Sequence, residues 1–469
     1  MNVNKGMIKN NKLLLSSRSF FIACVLLVLN LSNYAQSYSI KGYIDSGADK
    51  NFILCTQFGD FSRVVDTISV DSEGFIDYSI PSHFSRGLYR IYLYKDVWFD
   101  LILNNENISF STSAYEPEVF MVINESEENK LFYKFKSKYF GIKRKLNILS
   151  QVIVSYPDDP FLEKLEKQFN KEKKTLNKHI STITKGKEQL FASKLIHYYS
   201  ELILPTGISD DELVEFYNDN YWNYFPLEDS DLMNSDAYTV ALVGFLKVQI
   251  PRNASFDKMQ ELYINACDNI MLSIRGGDDV YQYVLKYLLD GFEQFEMWDV
   301  ISYLAETYGG KCTDLDSDSS LSARIKNYTE LVKGKKAPTI SINDIEGKVI
   351  EGFNSKYTLV VFWATWCGHC KVMIPELNSK INELNKLGVD IIGISLDEDI
   401  KLLQEFIRKE NIIIPMFCDT MGWASPPAID YAVYATPSMY LVDENGILIG
   451  KPMYISDIFE TINEFERGY

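Results

Sequence analysis

The stretch Tyr357 to Leu377, YTLVVFWATWCGHCKVMIPEL, constrains the fold of this chain more than any other. Leu359, Val360, Val361 and Phe362 read as a buried strand, and the segment after Gly368 reads as a helix. The alternation continues through VDIIGISL, DIKLLQEFIRKE, IIIPMFCD, SMYLVDENGILIGK and a last helix near ISDIFETINEF. Strands alternating with helices give a sheet covered on both faces, and Asn445-Gly446 marks a hairpin between its last strands. Upstream, KGKKAPTISI reads as a linker into this domain.

Cys367 and Cys370 stand where the strand gives way to the helix. A Cys-x-x-Cys can hold a metal, close a structural disulfide or cycle between dithiol and disulfide. A zinc site of the ribbon or finger type needs four ligands, and the nearest other cysteine is Cys418 with no histidine pair at hand. A staple around so small a loop would constrain the unfolded chain little. Redox exchange explains the surroundings better. Cys367 falls at the helix N-terminus, where the dipole and free N–H groups favour a thiolate. Cys370 lies one turn in, within reach of the first sulfur but shielded. Downstream, YATPSMYLVD starts a strand with Thr436-Pro437, where a cis proline commonly makes a tight turn. The pair reads as a redox couple, with no metal and no cofactor.

The first residues bear on the compartment. Lys5, Lys9, Lys12 and Arg18 precede the apolar run FFIACVLLVLNL, and SNYAQS follows. This is the pattern of a signal peptide over residues 1–35, cut after Ala35. The run falls short of the ~20 residues of a spanning helix, and Cys24 belongs to the removed segment. The expected location is therefore the periplasm or cell envelope, where disulfides persist. Of the other cysteines, Cys267 and Cys312 share one region and could pair. Cys55 and Cys418 sit in apolar strand-like runs and read as buried inert thiols.

A chain of 469 residues exceeds what one core fills. Its net charge of −17 argues against general nucleic-acid binding. Residues 36–120 read as short strands (YSIKGYI, NFILCTQF, VVDTISVD, FIDYSI, LYRIYLY, WFDLILN), with a hairpin turn at DSEGF. Such spacing suggests an antiparallel sandwich-like module. Residues 121–333 change to helical spacing, with Leu131, Phe132, Phe135, Tyr139 and Ile142 on one face. Further amphipathic stretches include Glu188 to Ile203, Asp210 to Tyr217 and Val280 to Leu289. The Lys/Arg cluster from Lys134 to Lys145 reads as a solvated face, with association to an anionic membrane surface as the alternative. His83, His179 and His197 stand apart and read as structural or surface residues.

Residues 334–469 resemble the envelope thioredoxins of the TlpA and ResA type. The residues that carry the likeness are APTISINDIEGK, FWATWCGHCKVMIPEL, GISLDED and YATPSMYLVDENG. The whole chain resembles multidomain envelope thioredoxins of Bacteroidetes, with a β-rich module and a helical region before a C-terminal α/β thioredoxin fold. The resemblance implies Cys367 as nucleophile, Cys370 as resolving cysteine, and Trp366 as the tryptophan flanking them. It also implies Pro437 as the cis proline facing the disulfide, with Thr436 presenting backbone groups to a substrate strand, and Pro375 as a helix kink. The Gly368-His369 dipeptide resembles protein disulfide isomerase, where an imidazolium beside the helix start favours the reduced form. Two positions depart. Thioredoxins place a buried aspartate where this chain has Val361, and ResA-type reductases a glutamate where it has Met373. Both acids assist proton removal from the resolving thiol.

The expected function is thiol–disulfide exchange with protein thiols and disulfides, supplied by an upstream membrane or envelope redox partner. Peroxide reduction of the peroxiredoxin kind is an alternative suggested by SLDED. A partner-binding scaffold with accessory redox activity is another. Because each named redox residue follows Lys335, the segment from Gly334 alone should keep its exchange chemistry.

Overall fold

The computed structural model describes residues 37–156, 160–205, 209–251, 254–313, 319–343, 349–353 and 355–467. The expected signal peptide, with Cys24, lies outside them. The chain divides into two compact units, Met1–Phe245 and Leu246–Tyr469, so the helical region contributes to both.

Unit 1 opens with eight strands: β1 (Ser39–Asp45), β2 (Asn51–Phe58), β3 (Phe61–Ser69), β4 (Phe75–Ser79), β5 (Gly87–Tyr94), β6 (Val97–Leu103), β7 (Ile108–Ser113) and β8 (Val122–Glu125). They form two four-stranded sheets, ordered β4-β1-β7-β8 and β3-β2-β5-β6. Ile40, Ile44, Phe52, Leu54, Ile91, Phe99 and Phe110, drawn from both sheets, share one core. The alternation along β1, with Ile40, Gly42 and Ile44 inward, follows from the period-2 pleat. The expected turn at DSEGF is closed by Asp71 Oδ1, which accepts from the N–H groups of Glu73 and Phe75 at 2.9 and 2.8 Å. Two features differ from the sequence reading. Strands β7 and β8 were not anticipated, and β1 pairs with β7 in parallel, so the module is not wholly antiparallel.

The helix Glu127–Ser155 follows, N-capped by Ser126, and buries the expected Leu131, Phe132, Phe135 and Ile142. The basic cluster on it is not simply solvated. Lys136 is buried and paired with Glu118, while Lys143 and Lys145 pair with Glu201 and Glu172. The expected helix from Glu188 to Ile203 is confined to Phe191–His197, whereas Asp210–Tyr224 runs longer than anticipated. His197 bonds the Tyr224 carbonyl at 2.6 Å.

Unit 2 begins with the helices Phe256–Ser273, Asp278–Gln294, Trp298–Tyr308 and Ser319–Thr329. Then come an antiparallel pair, β9 (Ser341–Asn343) and β10 (Val349–Glu351), and a five-stranded sheet. That sheet contains β11 (Tyr357–Trp363), β12 (Val389–Ser395), β13 (Met416–Phe417), β14 (Ser438–Asp443) and β15 (Leu448–Gly450), in the order β13-β12-β11-β14-β15. β11 is central and buried at each position, which explains its unbroken apolar run. Its Leu359, Val361 and Trp363 face one core, and its Val360 and Phe362 the other. The second core also takes in Leu331, with Ala323 packed against it. The apolar interior of this domain therefore reaches upstream of residue 334, into the helix Ser319–Thr329 and the residues after it.

Cys55 and Cys418 are buried, as read from their surroundings. Burial pushes both thiols up. Cys267 is buried too, and the side chain of Cys312 lies outside the described residues.

Candidate active site

The helix Gly368–Ser379 starts directly after the turn that leaves β11, and Cys367 is its N-cap. The Cys367 sulfur accepts from the N–H of Cys370 at 3.3 Å. A helix start leaves several N–H groups without intrahelical partners, so a thiolate there is stabilised both by direct bonds and by the dipole. Cys367 Sγ also donates to the Thr436 carbonyl at 3.3 Å. Partial burial pushes the Cys367 thiol up. Hydrogen bonds from the side chains of Cys370 and Thr436 and from the backbone at Cys370 and His369 outweigh it, leaving the thiol below its ordinary value. Cys370 has no exposed surface. Its burial, reinforced by the bond to Cys367, pushes it up to about 12. The two sulfurs thus stand in opposite environments within one turn.

The remaining anticipated residues converge on this point to different degrees. The Thr436-Pro437 peptide is cis, immediately before β14, and Thr436 touches Cys367. Trp366 is 55% exposed, and Gly368 and His369 are exposed beside it. Pro375 lies inside the helix. Val361 is buried in β11, and Met373 packs against the core that contains Cys370. Besides burial, the groups that act most on Cys370 are Cys367, the Ala364 backbone and Thr436. Among the described residues, no group of three or more His, Cys, Asp or Glu is placed to hold a metal ion.

Three contributions escaped sequence reading. Asp397, buried after β12, accepts from the Thr365 N–H at 3.0 Å, the Thr365 hydroxyl at 2.5 Å and the Ser395 hydroxyl at 2.7 Å. That cluster pins the turn which delivers Trp366 and Cys367. SLDED carried the residue, but only the β11–β12 pairing brings it under the turn. Trp423, in the 3₁₀ turn Gly422–Ala424, meets Trp366 with ring centroids 6.0 Å apart and is 46% exposed. Tyr434, two residues before Thr436, donates to Glu293 of the helix Asp278–Gln294 at 2.7 Å.

A Cys-x-x-Cys capping a helix after the central strand, with a Thr-Pro carbonyl on the N-cap sulfur, is the arrangement of a thioredoxin-like domain. Residues 333–450 match the AhpC/TSA family, so the C-terminal region is the AhpC/TSA type of that domain. The chain is similar to the thiol-disulfide oxidoreductase ResA of Bacillus thuringiensis subsp. konkukian, with 31% identity over 118 residues. That match covers 25% of this chain and 66% of the relative, just under two thirds of its length. A thiol:disulfide interchange protein from a Bacteroides species is 26% identical, covering 30% of this chain and 93% of that one, at a TM-score of 0.27. A thioredoxin-like protein from Bacteroides caccae is 17% identical, covering 56% and 96%, at a TM-score of 0.36.

Proposed function

We propose that this chain is a thiol–disulfide oxidoreductase acting on protein disulfides in the cell envelope through Cys367 and Cys370. One observation carries the reading: two thiols three residues apart, one accessible and below its ordinary value, the other sealed and raised to about 12. The Cys367 thiolate attacks a partner disulfide, its S–S bond breaks, and one partner sulfur leaves as a thiolate. Cys370 then loses its proton, which ends on a departing partner thiolate, and attacks the Cys367 sulfur. The mixed disulfide breaks and the second partner sulfur leaves. The partner gains two electrons and the Cys367–Cys370 disulfide forms, to be reduced again by an upstream membrane or envelope partner. In this cycle Trp366 and Thr436-Pro437 frame the incoming strand, Gly368 and His369 support the thiolate, and Pro375 shapes the helix.

The envelope setting rests on the signal-peptide pattern of residues 1–35. We assign residues 36–120 as a sandwich-like module, 121–333 as the helical region and 334–469 as the redox domain. The first two serve partner choice or positioning.

Cys370→Ala in the whole chain tests the reading. It should accumulate dithiothreitol-reversible mixed disulfides with envelope proteins, and a Cys367→Ser control should accumulate none. The AhpC/TSA match favours one second reading, peroxide reduction. Hydrogen peroxide turnover by Cys370→Ser at the unmodified rate would replace the first reading with the second. A cellular phenotype that survives Cys367→Ser with Cys370→Ser would identify a scaffold.

A further inference from the structure

The turn from Asp419 to Ser425 is firmly built, yet it leaves its largest side chain in water. Asp419 Oδ1 accepts from the Met421 N–H at 3.0 Å, and Asp419 Oδ2 from the Ser425 hydroxyl at 2.7 Å. Ser425 has no exposed surface. Thr420 stands at a φ of 61°, in the left-handed region that a β-branched residue rarely enters. Backbone held against its preference in this way gathers at sites that must keep a shape. Gly422 follows at 57°, and a Cβ on it would meet the Glu398 carboxylate at 2.9 Å. The residue this turn presents is Trp423, half exposed, with Met421 before it and Ile429 after it exposed as well.

A single apolar side chain in water needs no explanation. Trp423, however, lies against Trp366, the residue before Cys367. Their ring planes differ by 49°, so the indoles tilt rather than stack, and both stay about half exposed.

Reach decides what can cover them. Cys370 is sealed, so a partner bonds to Cys367 alone. The Cα atoms of a disulfide stand at most about 7 Å apart, and each further residue adds about 3.8 Å. Residues one or two places from the partner's cysteine therefore fall within reach of Trp366, and of Trp423 beside it. Covering two half-exposed indoles removes apolar surface from water. Ring faces alone would also suit an arginine. The aliphatic Met421 and Ile429 on the same loop favour an apolar side chain instead. Glu398, exposed against the turn, disfavours an acid.

We propose, on the redox reading above, that Trp423 is a specificity-determining residue. With Trp366 it selects partner proteins that carry a bulky apolar side chain within two residues of the reactive cysteine.

The test uses the reduced whole chain and peptides Gly-Xaa-Cys-Xaa-Gly oxidised to their symmetric disulfides, with Xaa as Phe, Ser or Arg. Release of peptide thiol is followed by chromatography. Each rate is divided by that of dithiothreitol on the same peptide, which removes intrinsic reactivity. The Phe peptide should be reduced about fivefold or more faster than the Ser peptide. Trp423→Ala should cut that ratio to less than half, and Trp423→Phe should restore it. A merely structural role would slow both peptides alike and leave the ratio unchanged. Trp423→Gln is a second loss variant should Trp423→Ala misfold. A ratio near one on the unmodified chain, an Arg peptide faster than the Phe peptide, or a ratio indifferent to loss of the indole would overturn this proposal alone. A chain that reduces none of the peptides would overturn the redox reading and this proposal with it.

Discussion

Tyr434 Oη donates to Glu293 Oε1 at 2.7 Å, only two residues before the threonine whose carbonyl accepts from the Cys367 sulfur. Glu293 is a hub. The same oxygen accepts from Tyr328 Oη at 2.5 Å, and its other oxygen from Arg324 Nη2 at 2.9 Å. Arg324 is buried and also paired with Asp290. The loop bearing Thr436 and Pro437 is therefore fastened to helices that precede the redox domain in sequence.

Glu293→Gln keeps the shape of that hub and removes its charge, leaving Arg324 with one carboxylate. Loss of a partly buried, charge-assisted contact of this kind costs about 1–3 kcal/mol. Chemical denaturation should register that loss. Insulin reduction should slow by about two- to tenfold, because the loop we propose to frame the substrate is less well held. Unchanged stability together with an unchanged rate would show that the loop places itself.

Excision should expose the same dependence. A fragment beginning at Gly334 lacks Leu331 from the second core, Asn327, whose Nδ2 donates to Tyr440 Oη at 2.7 Å, and Tyr328, bonded to Tyr434 at 2.8 Å. A fragment beginning at Leu246 keeps them all. The shorter fragment should melt earlier and reduce insulin more slowly than the longer one, as read by circular dichroism and turbidity. Equal melting and equal rates would show that the residues before Gly334 add nothing to the domain.

The strand–turn–helix around Cys367 was legible because an unbroken apolar run, a Cys-x-x-Cys and a Thr-Pro each leave a local mark. Strand β7 was missed because ISFSTS alternates Ile and Phe with small hydroxyl residues and has little apolar weight. Asp397, Trp423 and Glu293 were illegible for a different reason. Each acts on residues far along the chain, and an acid or an aromatic outside a motif carries no mark of its distant partner.

Thiol reactivity gives a direct check on the site. With Cys367 held below its ordinary value, iodoacetamide alkylation of the reduced chain should reach half its maximal rate below about pH 8.5, the unperturbed cysteine value. Cys370, pushed up to about 12, should stay unmodified over the same range. A Cys367 midpoint at or above the ordinary value would show that the helix start does not stabilise its thiolate.

Lys451 supplies a stability test. Its Nζ donates to Asn327 Oδ1 at 2.7 Å, and burial depresses it to about 8, with Glu293 opposing. The unfolded lysine titrates near about 10.4. Between those values the unfolded chain binds a proton that the folded chain releases, so this group makes stability rise with pH across that window. Below about pH 8 its penalty is complete. Urea midpoints measured at about pH 8 and about pH 10 should rise more in the unmodified chain than in Lys451→Met. Identical slopes would show that Lys451 is not depressed.

The sealing of Cys370 has a further consequence for traffic through the proposed cycle. A thiol with no exposed surface can meet only a sulfur already joined to Cys367, so electrons enter and leave through one doorway. The partner that recharges the domain and the partner that drains it must use the same few square ångströms in turn. Their steady-state kinetics should therefore be ping-pong, and an excess of either partner should inhibit by crowding out the other.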